Sequence, residues 1–336
     1  MKTKFFVLIT TLFLSVAFAA CGKKTNSGNI IINRVEYKKT SEQVIVQAGT
    51  QATVAMTDDS SWNTYCSGTN NWIKGVFIKD RTVKLSPFAM GKYEVTQELY
   101  EAVMGANPSE FKGDRKPPAD NETQKLRPVE NVSWYKAVEF CNKLTEALGI
   151  KDANGNIDYA YYTDDTCGTA YTTGNDVYYK QGSKGYRLPT EAEWEFAARG
   201  GDASKPEWKY AFAGVQTTAH NIYTFELLEI DSNLAKYGWY GDNSGGKTHE
   251  VGKKQANRLG LYDMSGNVWE WCWDWFTLTV STGNVDNPIG PASGSDRVYC
   301  GGGWSDDAYN CAVSSRNNGT PAGAYYGRGF RVCRSL

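Results

Sequence analysis

The chain has few histidines, few long apolar runs and almost no net charge. Its only histidines are His220 and His249, so histidine-rich metal sites are excluded, and neither has the nucleophile motif that a Ser-His-Asp triad needs nearby. Lys and Arg number 36 against 37 Asp and Glu, and no basic stripe with interleaved aromatics is present. Nucleic acid is therefore not an expected partner.

The composition indicates a globular, loop-rich protein. A mean hydropathy of −0.51 excludes a polytopic membrane protein. With 336 residues, 41% of them hydrophobic, the chain can bury one large core or two modest ones. The 34 glycines and 21 tyrosines are typical of many turns held together by aromatic packing. We expect few long helices.

The N-terminus has the pattern of an export signal. Lys2 and Lys4 precede an apolar run over 5–17 that is too short to span a bilayer. The small residues before Cys21 resemble a bacterial lipoprotein cleavage site. We predict a signal peptide over 1–20, a lipidated Cys21 with a polar linker over 21–45, and one domain over 46–336. The protein would be exported and anchored at the cell surface or outer membrane; secretion without a lipid is the alternative.

The remaining cysteines predict no familiar metal motif. Seven are left after Cys21, an odd number, so at least one stays free or pairs between chains. The absence of a CxxC pair argues against a zinc knuckle or a thioredoxin-like site.

Three short helices are predicted from their caps. Thr96 and Ser133 can each begin a helix in which apolar residues recur at helical spacing. Cys141 lies on the apolar face of the second and is either a small core residue or half of a disulfide. Thr190 and Glu193 form a capping box ahead of the third helix.

A tryptophan-rich strand is the centre of the predicted fold. Trp269, Trp271, Trp273 and Trp275 alternate with polar residues and Cys272, so the four indoles share one face of a strand. A strip this large is the floor of a core or of a cleft, because a soluble domain does not leave so much apolar surface exposed without purpose.

Six ordered motifs resemble the sulfatase-modifying-factor family, whose founder is the formylglycine-generating enzyme. The resemblance covers about 80–335 and implies a mixed α/β, C-type-lectin-like domain with short strands, few helices and much irregular backbone. The motifs are Gly91-Lys92-Tyr93-Glu94-Val95-Thr96, Val132-Ser133-Trp134, Arg187-Leu188-Pro189-Thr190-Glu191-Ala192-Glu193-Trp194-Glu195, Gly260 through Trp271, Gly301-Gly302-Gly303-Trp304 and Gly329-Phe330-Arg331.

The family's copper site is only half present. The formylglycine-generating enzyme binds copper with two cysteines five residues apart, and thiolates suit Cu(I) because both are soft. Counted without gaps from the glycines 301–303, those positions hold Asp306 and Cys311. Cys311 is therefore a weak catalytic candidate, which either pairs with Cys272 or packs in the core, and we expect no oxidase activity.

A structural calcium site is implied by the same resemblance. In the family an acidic or amide side chain, two backbone carbonyls and the glutamate of the Trp-x-Trp strand bind calcium. Here these would be Asp263, the carbonyls of Gly266 and Val268, and Glu270. Alternatively, Glu270 only bonds to the amides of the turn. No cofactor is expected to be required.

The segment 304–328 has the composition of a binding surface. Val313 is its one aliphatic residue beyond alanine, and Ser, Tyr, Gly and Asn contribute three residues each. Tyrosines give rigid amphipathic contacts while the small polar residues adapt, as in antibody paratopes. The segment also resembles the diversified region of the Treponema-type variable lipoproteins, lectin-fold proteins altered by a diversity-generating retroelement. An ordinary solvated loop is the alternative.

We therefore predict an anchored protein that displays a variable site for an unknown protein or glycan ligand. The predicted ligand-binding residues are Asp306, Asp307, Tyr309, Ser315, Asn317, Asn318, Thr320, Tyr325, Tyr326 and Arg328. The alternatives are a formylglycine-generating-type oxidoreductase acting on a sulfur group of a protein substrate, and a scaffold subunit with no ligand of its own.

Overall fold

The computed structural model describes residues 30–32, 35–37, 43–46, 51–56, 75–114, 116–215 and 232–336. The predicted signal peptide and the lipidation site at Cys21 lie outside these residues. Within the predicted linker 21–45, strands β1 (Ile30–Ile32) and β2 (Val35–Tyr37) pair as an antiparallel hairpin. Their β-branched and aromatic residues favour strands over a free linker.

Each of the three predicted helices is present with its predicted cap. Helix α1 spans Gln97–Met104, α2 spans Trp134–Ala147 and α3 spans Glu191–Ala198. The side chains of Thr96 and Ser133 accept the backbone N–H groups of Leu99 and Lys136. Thr190 and Glu193 make both bonds of a capping box, which satisfies two N–H groups that a helix start leaves open. None of the helices among the described residues is long and apolar enough to cross a membrane.

The remaining elements are short strands. Strands β3 to β8 come before or between the helices and β9 to β14 follow them: β3 (Gln43–Val46), β4 (Ala52–Ala55), β5 (Arg81–Leu85), β6 (Phe88–Gly91), β7 (Tyr161–Tyr162), β8 (Tyr178–Tyr179), β9 (Trp269–Trp275), β10 (Gly283–Asp286), β11 (Arg297–Cys300), β12 (Arg316–Gly319), β13 (Arg328–Gly329) and β14 (Cys333–Ser335). They form a four-stranded sheet in the order β12-β11-β9-β13, three-stranded sheets β10-β5-β4 and β14-β6-β3, and the pair β7-β8.

The tryptophan strand β9 is buried on both faces. Its indole face packs with α2, where the indole of Trp134 donates to the carbonyl of Cys272 at 2.9 Å. Its other face, with Cys272, packs against α3 and β11 in a second hydrophobic cluster. Trp271 is fully buried and donates to the carbonyl of Val132 at 2.9 Å. The strip is therefore mainly the floor of a core, and only its first part lies near the surface described next.

Candidate functional site

The floor of the candidate site is the start of β9 together with its neighbour β11. Trp269 and Trp271 stand edge-on to the ring of Tyr299, at centroid distances of 5.1 and 5.2 Å. All three side chains are almost completely buried. They give a rigid aromatic base, because interlocked large rings cannot change rotamer without displacing one another.

Two tight turns hold the segment 304–328 onto this base. At Gly266 φ is +102°, and a Cβ there would stand 2.2 Å from the carbonyl oxygen of Trp239. At Gly302 φ is +72°, and a Cβ would stand 2.6 Å from the sulfur of Cys311. The N–H of Gly266 donates to the carbonyl of Gly301 at 2.7 Å, which joins the two turns. Only glycine combines these dihedral angles with such close approach.

Four side chains rise above the base as one layer, which we call the aromatic surface: Trp304, Tyr325, Tyr326 and Arg328. The rings of Tyr325 and Tyr326 lie 4.1 Å apart, and Tyr326 lies 5.9 Å from Trp304. Each tyrosine exposes 39% of its area. The guanidinium of Arg328 lies 4.5 Å from the Tyr299 ring and 5.4 Å from the Tyr325 ring, so the cation links the layer to its base.

An acidic group borders the aromatic surface. The indole of Trp269 donates to the carboxylate of Asp306 at 2.8 Å. Burial raises the pKa of Asp306 to about 6, with a smaller contribution from the charge of Asp307. A carboxyl, a guanidinium and three aromatic rings therefore lie together, which is the chemistry of a site that recognises polar groups through contact.

The predicted ligand-binding residues are only partly brought together. Asn317 pairs in register with Tyr299 and shares its face, whereas Asn318 pairs with the core residue Val298 and lies on the opposite face. Thr320 is exposed. Its hydroxyl lies close to Gly323: a Cβ added to that glycine would be 2.9 Å from the hydroxyl oxygen.

Two further predicted residues lie on another turn. Asp307 and Tyr309 are exposed at the 3-10 turn Ala308–Cys311. The turn begins beside Asp306, whose carbonyl accepts the N–H of Gly241 at 2.8 Å.

The middle of the predicted variable segment is core, not surface. Ser315 exposes only 4% of its area, and all residues over 311–316 are buried. Arg316 is held by a bidentate pair with Glu191, with both bonds at 2.6 Å. The prediction that Ser315 binds a ligand is therefore wrong, because small residues such as Ala and Ser fit a tightly packed interior as well as a surface.

Four contributors to the site were not predicted. Phe111 is buried beneath Trp304 and Tyr326, at centroid distances of 4.9 and 6.4 Å, and Lys116 lies 4.6 Å from its ring. Tyr299 supports Arg328 from below. Trp304 itself was a usable signal, since a tryptophan is unusual among small polar residues, but nothing in the sequence links it to Phe111 almost 200 positions earlier.

The comparisons with known proteins agree with this architecture. The family model of the sulfatase-modifying factor enzyme 1-like domain matches residues 31–336. The chain belongs to the sulfatase-modifying-factor family. Its fold resembles the solved Treponema denticola variable protein 1, with 37% identity, a TM-score of 0.66, and coverage of 88% of this chain and 100% of that one. The resemblance read from the six motifs and the lectin-like fold class are thus confirmed.

Two curated relatives show how far the family likeness extends. The chaperone protein LppX of Paenibacillus barcinonensis is 35% identical over 264 residues, covering 76% of this chain and 83% of the relative. The formylglycine-generating enzyme of Mus musculus is 37% identical over 153 residues, covering 44% of this chain and 38% of the enzyme. This alignment spans well under half of the mouse enzyme.

At the position of the family's calcium site, the guanidinium of Arg331 already occupies the carboxylate of Glu270. Both oxygens of Glu270 accept from the guanidinium of Arg331, at 2.5 and 2.6 Å, and the indole of Trp194 donates to the same carboxylate at 2.7 Å. Asp263 accepts the N–H of Gly252 at 2.7 Å. Because a carboxylate neutralised by a buried guanidinium is a poor ligand for a second cation, this arrangement does not fit calcium. The implied calcium site is untested, and we do not carry it into the proposed function.

The family's copper site also lacks its donor set. Asp306 and Cys311 both flank the glycine turn, as the ungapped comparison expected, but only one of them is a thiol. Cys311 is fully buried, and burial, followed by the charges of Asp306 and Asp307, raises its pKa well above the usual range. It is a free thiol, and the thiol of Cys272 is instead within hydrogen-bonding distance of Cys300. One protonated thiol does not fit Cu(I), which binds paired thiolates.

Proposed function

We propose that this member of the sulfatase-modifying-factor family is an exported protein, anchored through a lipid on Cys21, that uses the aromatic surface to bind a protein or glycan ligand. One observation carries the proposal: Tyr325, Tyr326 and Arg328 are accessible while the side chains beneath them are locked. Rigid, amphipathic tyrosines lose little entropy on binding, and a fixed base lets them be exchanged without unfolding the domain.

The solved relative supports a variable site in particular. It is named a variable protein, and its similarity to this chain extends over the whole of that structure. In our proposal the coding segment for 304–328 is diversified by a retroelement. A near-identical template copy of that segment beside a reverse transcriptase gene would support diversification, and its absence from the genome would count against it.

The binding proposal is tested with defined probes. A random peptide library displayed on phage and a printed glycan array are screened against the full-length protein and against a variant with Asp307, Thr320, Tyr325 and Tyr326 all changed to serine. We expect the set of bound probes to change while the melting temperature stays within a few degrees. Tyr178→Ser is the matched control, because Tyr178 is a similarly exposed tyrosine, 43% accessible, outside the segment. Identical probe sets for all three proteins would refute the proposal.

A chaperone is the second candidate, because the relative from Paenibacillus carries that name and an aromatic surface suits extended apolar segments. It predicts that the protein suppresses aggregation of a chemically denatured reporter protein. In that case Tyr325→Ser together with Tyr326→Ser would reduce the suppression, whereas Tyr178→Ser would not.

The oxidase alternative is less well supported by the site. It requires copper-dependent oxygen uptake on a cysteine-containing peptide, lost in Cys311→Ser. The buried single thiol and the acid at the other ligand position lead us to expect no uptake with either protein.

A further inference from the structure

A concave site lies at the other end of β9 from the aromatic surface. A cavity of about 540 Å³ opens where the strand ends at Trp275, next to the start of α3, the strands β5 and β10, and the chain over 277–291. Because a strand rises about 3.3 Å per residue, the cavity lies roughly 20 Å along β9 from Trp269 and the aromatic surface. Its volume is within the range of small-molecule sites.

An arginine in the cavity wall has no acceptor for its Nε. Arg81 begins β5 and exposes only 6% of its area. Its Nε is buried without a hydrogen-bond partner among the residues that the structure describes. Glu191, Asp274 and Glu195 act on the guanidinium through their charge. A buried cation in this position is costly unless an anion pairs with it.

The neighbouring carboxylates are already engaged by other donors. Glu191 holds Arg316 with two bonds of 2.6 Å, and Glu195 accepts from Arg199 at 2.8 Å. Asp274 accepts the N–H of Glu191 at 2.8 Å. Burial, followed by the charge of Glu191, raises the pKa of Asp274 to about 7, so this carboxyl is a weaker source of negative charge near neutral pH than an ordinary aspartate. The guanidinium of Arg81 therefore lies among carboxylates that already have other donors, and its Nε has no hydrogen bond to any residue that the structure describes.

The rest of the wall is suited to an organic body. Val76, Val280, Val285 and Ile289 line the cavity with aliphatic groups, together with two prolines. The acids that line the cavity, Glu191, Asp274 and Asp286, disfavour a doubly charged phosphate more than a singly charged carboxylate, since each added negative charge is repelled.

We propose that this cavity is a binding site for a small organic carboxylate with an apolar body, whose carboxylate pairs with the planar guanidinium of Arg81. A guanidinium matches a carboxylate through two parallel N–H bonds, and such charge-assisted pairs are strongest where water is excluded. This site is independent of the binding function proposed for the aromatic surface, and the two proposals are tested separately.

Calorimetric titration of the full-length protein tests the assignment, with hexanoate as the probe and 1-hexanol as its uncharged counterpart. We expect one site that prefers hexanoate over hexanol by about tenfold or more, the order given by a buried charged hydrogen bond. Arg81→Gln removes that preference. Arg258→Gln is the matched control, because Arg258 lies at the surface beside Asp202 and should leave the preference unchanged.

Two further readouts keep the test decisive. Val280→Trp fills the cavity without changing its charge and should weaken both probes. Arg81→Gln should unfold close to the wild-type temperature, since it removes a buried guanidinium whose Nε has no acceptor among the described residues. Equal binding of hexanoate and hexanol by the wild type, an undiminished preference in Arg81→Gln, or a large loss of stability in that variant would overturn the proposal.

Discussion

Replacing Glu270 with glutamine tests the buried ion pair on the face of β9 opposite to its tryptophans. Glu270 and Arg331 are both fully buried, and the carboxylate also accepts the indole N–H of Trp194. Glutamine keeps the shape but removes the charge and turns one acceptor oxygen into a donor that faces other donors. Removing one partner of a buried pair costs about 3–5 kcal/mol, because the other charge is left uncompensated.

A neighbouring carboxyl reduces this cost. Burial, followed by the charges of Asp263 and Glu270, raises the pKa of Glu94 well above its usual range. Without the charge of Glu270, Glu94 ionises more readily and replaces part of what Arg331 has lost. We therefore expect the lower end of that range, about 3 kcal/mol. At about 2–4 °C per kcal/mol for a large domain, the melting temperature should fall by roughly 6 °C or more.

Urea unfolding followed by tryptophan fluorescence measures the change. Glu110→Gln is the control, since Glu110 pairs with Lys116 at the surface and should cost well under about 1 kcal/mol. The double variant Glu270→Gln with Arg331→Met should recover stability, because no buried charge remains unpaired. The reasoning fails if Glu270→Gln unfolds like the control, or if the double variant is less stable than the single one.

The same proteins address calcium. If the carboxylate of Glu270 is fully engaged in its ion pair with Arg331, excess calcium should leave the wild-type melting temperature unchanged. A calcium-dependent rise in the wild type that Glu270→Gln abolishes would instead make Glu270 a calcium ligand.

Three shorter predictions concern the rim of the site. The folded state raises the pKa of Asp306 from an unfolded value near 4 to about 6, so it binds the proton more tightly than the unfolded chain does, and its contribution to stability falls as pH rises through that window. Between pH 4 and pH 6, the unfolding free energy of Asp306→Asn should therefore rise relative to that of the wild type by up to about 3 kcal/mol. A difference between the two proteins that does not change with pH would refute this. Gly302→Ala should lower the unfolding free energy measured in urea by about 2 kcal/mol or more, since the φ of +72° and the sulfur of Cys311 both exclude a Cβ. An unfolding midpoint equal to that of the wild type would contradict this geometry of the turn. Peptide mapping after alkylation should find Cys311 modified only in unfolded protein, and labelling in the native state would show that its thiol is accessible.

Local features were predictable from the sequence because they depend on neighbouring residues. The caps at Thr96, Ser133 and Thr190 use side chains within three positions of the N–H groups they accept. The shared face of Trp269 and Trp271 follows from strand alternation alone. The family motifs added the arrangement of these pieces, which periodicity does not supply.

Long-range partners were not predictable, because each depends on residues far apart in the chain. Glu270 forms an ion pair with Arg331, 61 positions away in the chain, and Glu191 forms one with Arg316, 125 positions away. Glutamate in a turn and glutamate in a buried pair have the same sequence pattern. Composition failed in the same way at Ser315, where small polar residues proved to be interior.

The buried stretch over 311–316 limits how the segment 304–328 can vary. Arg316 is tied to Glu191, and Ser314 and Ser315 are almost completely buried, so replacing them with tyrosine or aspartate would overpack the core or bury an unpaired charge. The chain on either side, over 305–310 and 317–328, carries the accessible side chains. A diversified gene should therefore show two blocks of change separated by a constant block, and sequencing many copies of the coding segment checks this. Substitutions spread evenly through 311–316 in stable, folded proteins would contradict the division of the segment into an anchor and two variable flanks.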